Sequence, residues 1–221
     1  MMRVTGKLLM KIARTPLMGR LIGTAFRLPY RLLPLGTTGG DRYCIAFRHP
    51  QPAYEDHMIL SPRKPVRDLI GLCEETTCFR SLLKTAQTLC SGSFTLVING
   101  GKRQEVQQVH AHLFSGHAMV SGYTGEPAEE TLLYRDDSLR LLTHHHPEWE
   151  VHAVILPGPA GLLAPAGELP AAYLQQIGHC IALLDHQAGI LQKGYSLVCR
   201  MDADSPSAAP VFHIAAGKKL S

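Results

Sequence analysis

Gln108-Val109-His110-Ala111-His112-Leu113-Phe114 is the stretch on which the fold turns. Polar and apolar residues alternate through it, the pattern of a half-buried strand. Side chains two apart project the same way, so Gln108, His110 and His112 are expected on one face. Two imidazoles on a rigid strand can divide work at a phosphate. One attacks phosphorus, and the other donates a hydrogen bond or proton to the phosphate or leaving group. Histidine titrates near neutrality, so both states are accessible. Taken alone, the His-x-His spacing equally describes a solvated surface or a metal pair.

Working outward, Asn99-Gly100-Gly101-Lys102-Arg103 is a glycine turn carrying two cations. Such a turn can bring backbone N–H groups and positive charge to an anion. Further upstream, Tyr43–Phe47 and Asp56–Leu60 read as short strands around His49-Pro50-Gln51-Pro52. A mainly helical stretch is expected from Val66 to Cys90, then strands at Phe94–Asn99 and Val106–Phe114.

A second segment has the same skeleton. Strands at Leu139–Thr143 and Glu150–Leu156 flank His144-His145-His146-Pro147. A helix from about Pro170 to Leu191 precedes strands at Tyr195–Arg200 and Pro210–Ala215. FRHPQPAYEDHMILSP (47–62) lies over LTHHHPEWEVHAVILP (142–157), which matches His49 with His144, Pro52 with Pro147 and His57 with His152. Farther along, FTLV (94–97) lies over YSLV (195–198), and VHAHLFSG (109–116) falls on PVFHIAAG (210–217). The chain therefore reads as two copies, the alternative being chance similarity of two strand-helix-strand units. In the second copy Val211 falls on His110, Ala209 on Gln108 and Arg200 on Asn99, and of the catalytic set only His213 remains. A valine cannot be a nucleophile, so this copy is expected to complete the sheet without reacting. The run His144–His146 reads as a solvated turn, with substrate contact or metal binding as the other possibilities; neighbouring residues of a strand point oppositely and cannot all reach one ion. Trp149 reads as core.

The stretches CIAFRHPQPAYEDHMILSPRKPV (44–66) and LVINGGKRQEVQQVHAHLFSG (96–116) together resemble the histidine-triad (HIT) superfamily of nucleotide hydrolases and transferases. The resemblance covers residues 42–117 well and the second copy faintly. It implies an α+β domain with an antiparallel sheet, here two tandem copies forming one pseudo-dimeric sheet, as in the galactose-1-phosphate uridylyltransferase branch. The expected organisation is a basic leader (1–40), a HIT-like catalytic half (41–125) and a degenerate half (126–221). The resemblance further implies His110 as nucleophile, with His112 on the phosphate. Asn99, Gly100, Gly101 and Gln104 would line the phosphate site, with His57 and His49 beside it. Three positions depart from the family pattern: Gln108 stands where the first triad histidine belongs, His49 where an aspartate grips ribose, and Glu105 where a small hydroxyl residue is common. The implied function is a hydrolase or nucleotidyltransferase acting at phosphorus. The alternative is a nucleotide-binding or regulatory protein that has lost turnover. The scheme needs neither metal nor cofactor, and its partner is a nucleotide or nucleotide-linked small molecule.

Composition fits a globular protein: of 221 residues, 45% are hydrophobic and 18% charged. The net charge of +4 is unevenly spread. Seven cations precede the first acid, Asp41, leaving fifteen bases against eighteen acids in the rest. Residues 5–30 set Leu8, Leu9, Ile12, Leu17, Leu21, Ile22 and Phe26 among those cations. An amphipathic helix there suits an anionic membrane surface or packing on the domain or a second subunit, with a targeting peptide as the remaining alternative. With basic charge confined to the leader and no interleaved aromatics, nucleic acid is not the expected partner. Six scattered cysteines without a Cys-x-x-Cys pair read as reduced, mostly buried thiols. A cytoplasmic protein is expected, peripheral at the inner membrane face if the leader binds there, with homo-oligomerisation left open.

Overall fold

The computed structural model describes residues 21, 24–25, 37–50, 52–54, 56–116, 131–158, 166–202 and 210–220. Nearly all of the basic leader lies outside them. Strands β1 (Thr37–Gly40), β2 (Cys44–Arg48) and β3 (Met58–Pro62) are followed by helices α1 (Leu69–Glu74) and α2 (Thr76–Leu89). Next come β4 (Ser93–Gly100), β5 (Ala111–Ser115), β6 (Leu132–Arg135), β7 (Leu139–Thr143) and β8 (Trp149–Pro157). Helices α3 (Ala171–Ala188) and α4 (Ile190–Lys193) precede the closing strands β9 (Tyr195–Asp202) and β10 (Val211–Lys219).

The ten strands of the described residues join one sheet in the order β1-β2-β3-β5-β4-β9-β10-β8-β7-β6. Every neighbouring pair is antiparallel. Read outward from β4 and β9, the two halves have the same strand order. The central pair runs from Ser93↔Asp202 to Gly100↔Tyr195, with Val97 facing Val198. Those two valines are also matched by the sequence repeat, so the midpoint of the ladder is the midpoint of the repeat. This is an α+β architecture dominated by antiparallel sheet.

Helices cover one face of the sheet. Leu72, Phe79, Leu82, Ile177 and Ile181 bury themselves there against Leu60, Leu96, Leu113, Leu197, Phe212 and Ile214. Each fully buried aliphatic side chain is worth about 2 kcal/mol of transfer free energy, so this core outweighs any polar contact at the site. On the other face Val97, Phe114, Val198 and Ala215 form a small second cluster that Trp149 packs against, as core. The cysteines are free, and all but Cys90 are buried.

Several elements differ from the sequence expectation in instructive ways. The mainly helical stretch expected from Val66 to Cys90 is two helices, broken at Glu75, where ψ of 59° leaves the helical region. Asp68 caps the first, its carboxylate accepting from the Gly71 N–H at 2.9 Å. The long second-half helix stops at Gly189, whose left-handed φ of 62° suits glycine. The strand expected over 106–114 starts only at Ala111, because the preceding residues bind the 62–66 connection instead of a strand. There Val109 N–H donates to the Val66 carbonyl at 2.8 Å.

Candidate active site

The register explains which residues meet. His112 pairs with Ile59 on one side and Val97 on the other. Paired residues share a face, so His112, His57 and Phe114 project onto the face opposite the described helices. Continuing the β4–β5 register by one residue brings His110 opposite Asn99. His110 and His112 lie side by side, with ring centroids 5.1 Å apart. His57 Nε2 lies 3.0 Å from His112 Nδ1. His49 stacks on His57 at 4.1 Å with planes 9° apart.

Hydrogen-bond partners fix the tautomers. Ala53 N–H donates to His57 Nδ1 at 3.3 Å, so that nitrogen carries no hydrogen. His57 therefore donates from Nε2 to His112 Nδ1, and the remaining hydrogen of His112 sits on Nε2. His110 is the opposite case: its Nδ1–H donates to the Gln108 main-chain carbonyl at 2.9 Å, leaving Nε2 with a free lone pair. Adjacent rings thus present one bare nitrogen and one N–H. Burial lowers the pKa of all three rings, His57 to about 4 and His112 to about 3. The neighbouring histidines lower His112 further. At neutral pH the rings are uncharged.

Other expected site residues have different surroundings. Gln108 is buried, and its side chain turns away from the histidines. Its amide donates to the Pro62 and Lys64 carbonyls at 3.3 and 3.0 Å and accepts from Val66 N–H at 3.2 Å. The amide does so because the pairing of β5 with β3 ends at Leu60, and the backbone groups of residues 62–66 on that side need other partners. Asn99 accepts from the Ser196 hydroxyl at 2.8 Å. Gln104 donates to the Val106 carbonyl at 2.9 Å and to that of Arg67. Gly100 lies flat on the Tyr195 ring, and Gly101, at φ of 57°, lies on the Leu191 carbonyl, so a Cβ at either would collide. The glycine bend thus permits close approach to the second half. A cavity of about 390 Å³ beside it is lined by Arg67, Lys102, Gln104, Gln107 and Tyr195, with no histidine among its lining residues. Arg103 donates to the Ala215 and Gly217 carbonyls at 2.9 and 2.6 Å and lies 4.6 Å over the Trp149 ring.

Sequence reasoning missed a second set of rings. His144 is not solvated but 2% exposed, and His152 and His213 are equally buried. His144 stacks on His152 at 4.2 Å and 9°. Glu148 N–H donates to His152 Nδ1 at 3.2 Å, and His152 Nε2 lies 3.2 Å from His213 Nδ1. The arrangement of His49, His57 and His112 recurs bond for bond. The signal was present in the alignment, where each of the three has its counterpart.

In each trio the potential ligand nitrogens lie within 4.8 Å of one another. The donor sets do not suit an ion as they stand. Ligation by His57 Nε2 and His112 Nδ1 would leave the His57 hydrogen on Nδ1, facing the Ala53 N–H. The same conflict arises between His152 and Glu148.

Fold and site together give one antiparallel sheet made of two similar halves, the first of which holds His110 beside His112. Residues 36–119, which span β1 to β5, match the family model of the HIT domain. No curated protein matches the chain. Among solved structures, the chain is similar to an ADP-glucose phosphorylase from Arabidopsis thaliana with bound ADP-glucose. That likeness has a TM-score of 0.55 and 11% identity, over 89% of this chain and 80% of the other. A uridylyltransferase is similar with TM-score 0.52 and 13% identity, over 86% and 78%. A DUF4931-family protein from Bacillus cereus is similar with TM-score 0.50 and 16% identity, over 85% and 87%. At these identities the likeness is one of fold.

Proposed function

We propose that this protein is an enzyme acting at a phosphorus atom of a nucleotide or nucleotide-linked compound, with His110 as nucleophile. The complementary tautomers of His110 and His112 carry this reading. His110 Nε2, held bare by the bond from Nδ1 to the Gln108 carbonyl, forms the bond to phosphorus. The bond from phosphorus to the leaving group breaks, and the electron pair departs with that group. His112 Nε2–H holds a nonbridging oxygen as charge develops there. Water or a second acceptor then attacks phosphorus and releases His110.

His112 serves as a hydrogen-bond donor and not as an acid. Its Nδ1 has no hydrogen and its ring stays neutral, so surrendering Nε2–H would leave an imidazolate. The scheme therefore favours leaving groups that depart as stable anions, such as a phosphate or sugar phosphate, over amines. Among the similar structures, one is named an ADP-glucose phosphorylase and holds ADP-glucose, and another is named a uridylyltransferase. The second half, with Val211 in place of the nucleophile, completes the sheet and supports the site through Ser196 and the Arg103 contacts.

The test is turnover of a panel of nucleotide sugars, dinucleoside polyphosphates and nucleoside phosphoramidates. The expected result is cleavage of the anhydrides, lowered at least about 10³-fold in His110→Ala, a loss in line with removal of a covalent nucleophile. Binding without turnover, indifferent to His110→Ala, would instead make the protein a nucleotide binder.

A further inference from the structure

Tyr54 is the large aromatic side chain next to the histidines that the mechanism above does not use. It is 49% exposed, whereas the Phe114 ring beneath it is 2% exposed. The two rings stack at 4.4 Å with planes 19° apart, so one face of Tyr54 is covered and the exposure belongs to the rest. The ring sits edge-on to His57 at 5.9 Å. Its loop is held in shape from both sides. Ala53 N–H is bonded to His57 Nδ1, and Asp56 adopts a left-handed φ of 55° just before β3. An aromatic this exposed forfeits burial of apolar surface unless something planar covers it.

The second half shows what such a ring takes as a partner. Trp149 stands where Tyr54 stands: each directly follows the residue whose N–H bonds the strand histidine, Glu148 in one half and Ala53 in the other. Trp149 also packs against the cluster containing Ala215, the counterpart of Phe114. Its ring is covered by a planar group of the protein itself, the Arg103 guanidinium, 4.6 Å away. No such group is stacked on Tyr54 among the described residues.

We infer that Tyr54, backed by Phe114, is the platform on which the base of the nucleotide lies while His110 and His112 engage its phosphate. This rests on the function proposed above and adds the subsite that distinguishes a nucleotide from a simple sugar phosphate. Recognition through a π-face tolerates any base, so the platform supplies affinity and little choice among bases.

The experiment is a fluorescence titration with 1,N6-ethenoadenosine 5′-monophosphate, followed by competition with AMP, UMP and ribose 5-phosphate. Wild type is expected to quench the probe and to bind AMP and UMP at least about tenfold more tightly than ribose 5-phosphate, the scale of one base-aromatic stack. Tyr54→Ala should lose the quenching and that preference together, whereas Tyr54→Trp should restore both. Unfolding midpoints of the variants within a degree or two of wild type exclude a folding defect as the cause. Binding and quenching unchanged in Tyr54→Ala would overturn the platform while leaving the catalytic reading intact. Absence of probe binding to wild type would also overturn it. Quenching that depends on Tyr54 in a protein without turnover would retain the platform and sink the chemistry.

Discussion

At the scale of single residues, the two glutamine and histidine roles separate cleanly. Gln108 occupies the first triad position, yet its side chain serves the 62–66 backbone, and only its main-chain carbonyl touches His110. Gln108→Ala strands the Val66 N–H and two carbonyls in a buried place, at a cost of about 2 kcal/mol. A lowered urea midpoint, together with turnover that falls far less than in His110→Ala, is the expected pair of results. Equal losses of turnover in the two variants would mean that the Gln108 amide acts on substrate. The sequence could assign His110 and His112 to a shared face because period two is a local property. It could not give the direction of the Gln108 side chain, which depends on carbonyls forty-four and forty-six positions away.

Among the elements, the join between halves rests on β4, β9 and the bend that follows β4. From sequence, Gly100 and Gly101 resemble an anion cradle, because glycine, cations and a preceding strand are what such cradles require. The same features serve close packing when another element lies against them, as Tyr195 and Leu191 do here. Arg103 completes this join with two charge-assisted bonds to β10 carbonyls and its cover over Trp149. Arg103→Ala is expected to cost about 3 kcal/mol in chemical denaturation. Arg103→Lys should recover little of that, since an ammonium cannot fork to two carbonyls while lying flat on an indole. Recovery by lysine would reduce the contact to simple charge. Strand and helix interiors were legible from periodicity; β1 and β6 were not, being four-residue edge strands with little apolar alternation.

For the whole molecule, the doubled histidine trio sets a pH response. Folded pKa values for His57 and His152 are near 4, and for His112 and His213 near 3, all below the ordinary value of about 6.5. Between those limits the unfolded chain binds more protons, so acid favours unfolding. Stability from these groups is complete above pH ~6.5 and is lost as the pH falls through about 4 to about 3. Thermal midpoints should be level from pH 8 to 7 and then decline before most carboxylates titrate. A flat profile down to pH 5 would show that the rings are not held neutral.

The sequence alone determined the strand-helix-strand order, its repetition and the shared face of His110 and His112, because periodicity and repeat spacing are written in neighbouring residues. Only the tertiary structure decided which nitrogen of each ring holds its hydrogen, what the glycine bend lies against, and that three distant histidines in the second half meet. Those outcomes depend on partners supplied by other strands through the sheet register, and the local chain carries no record of them.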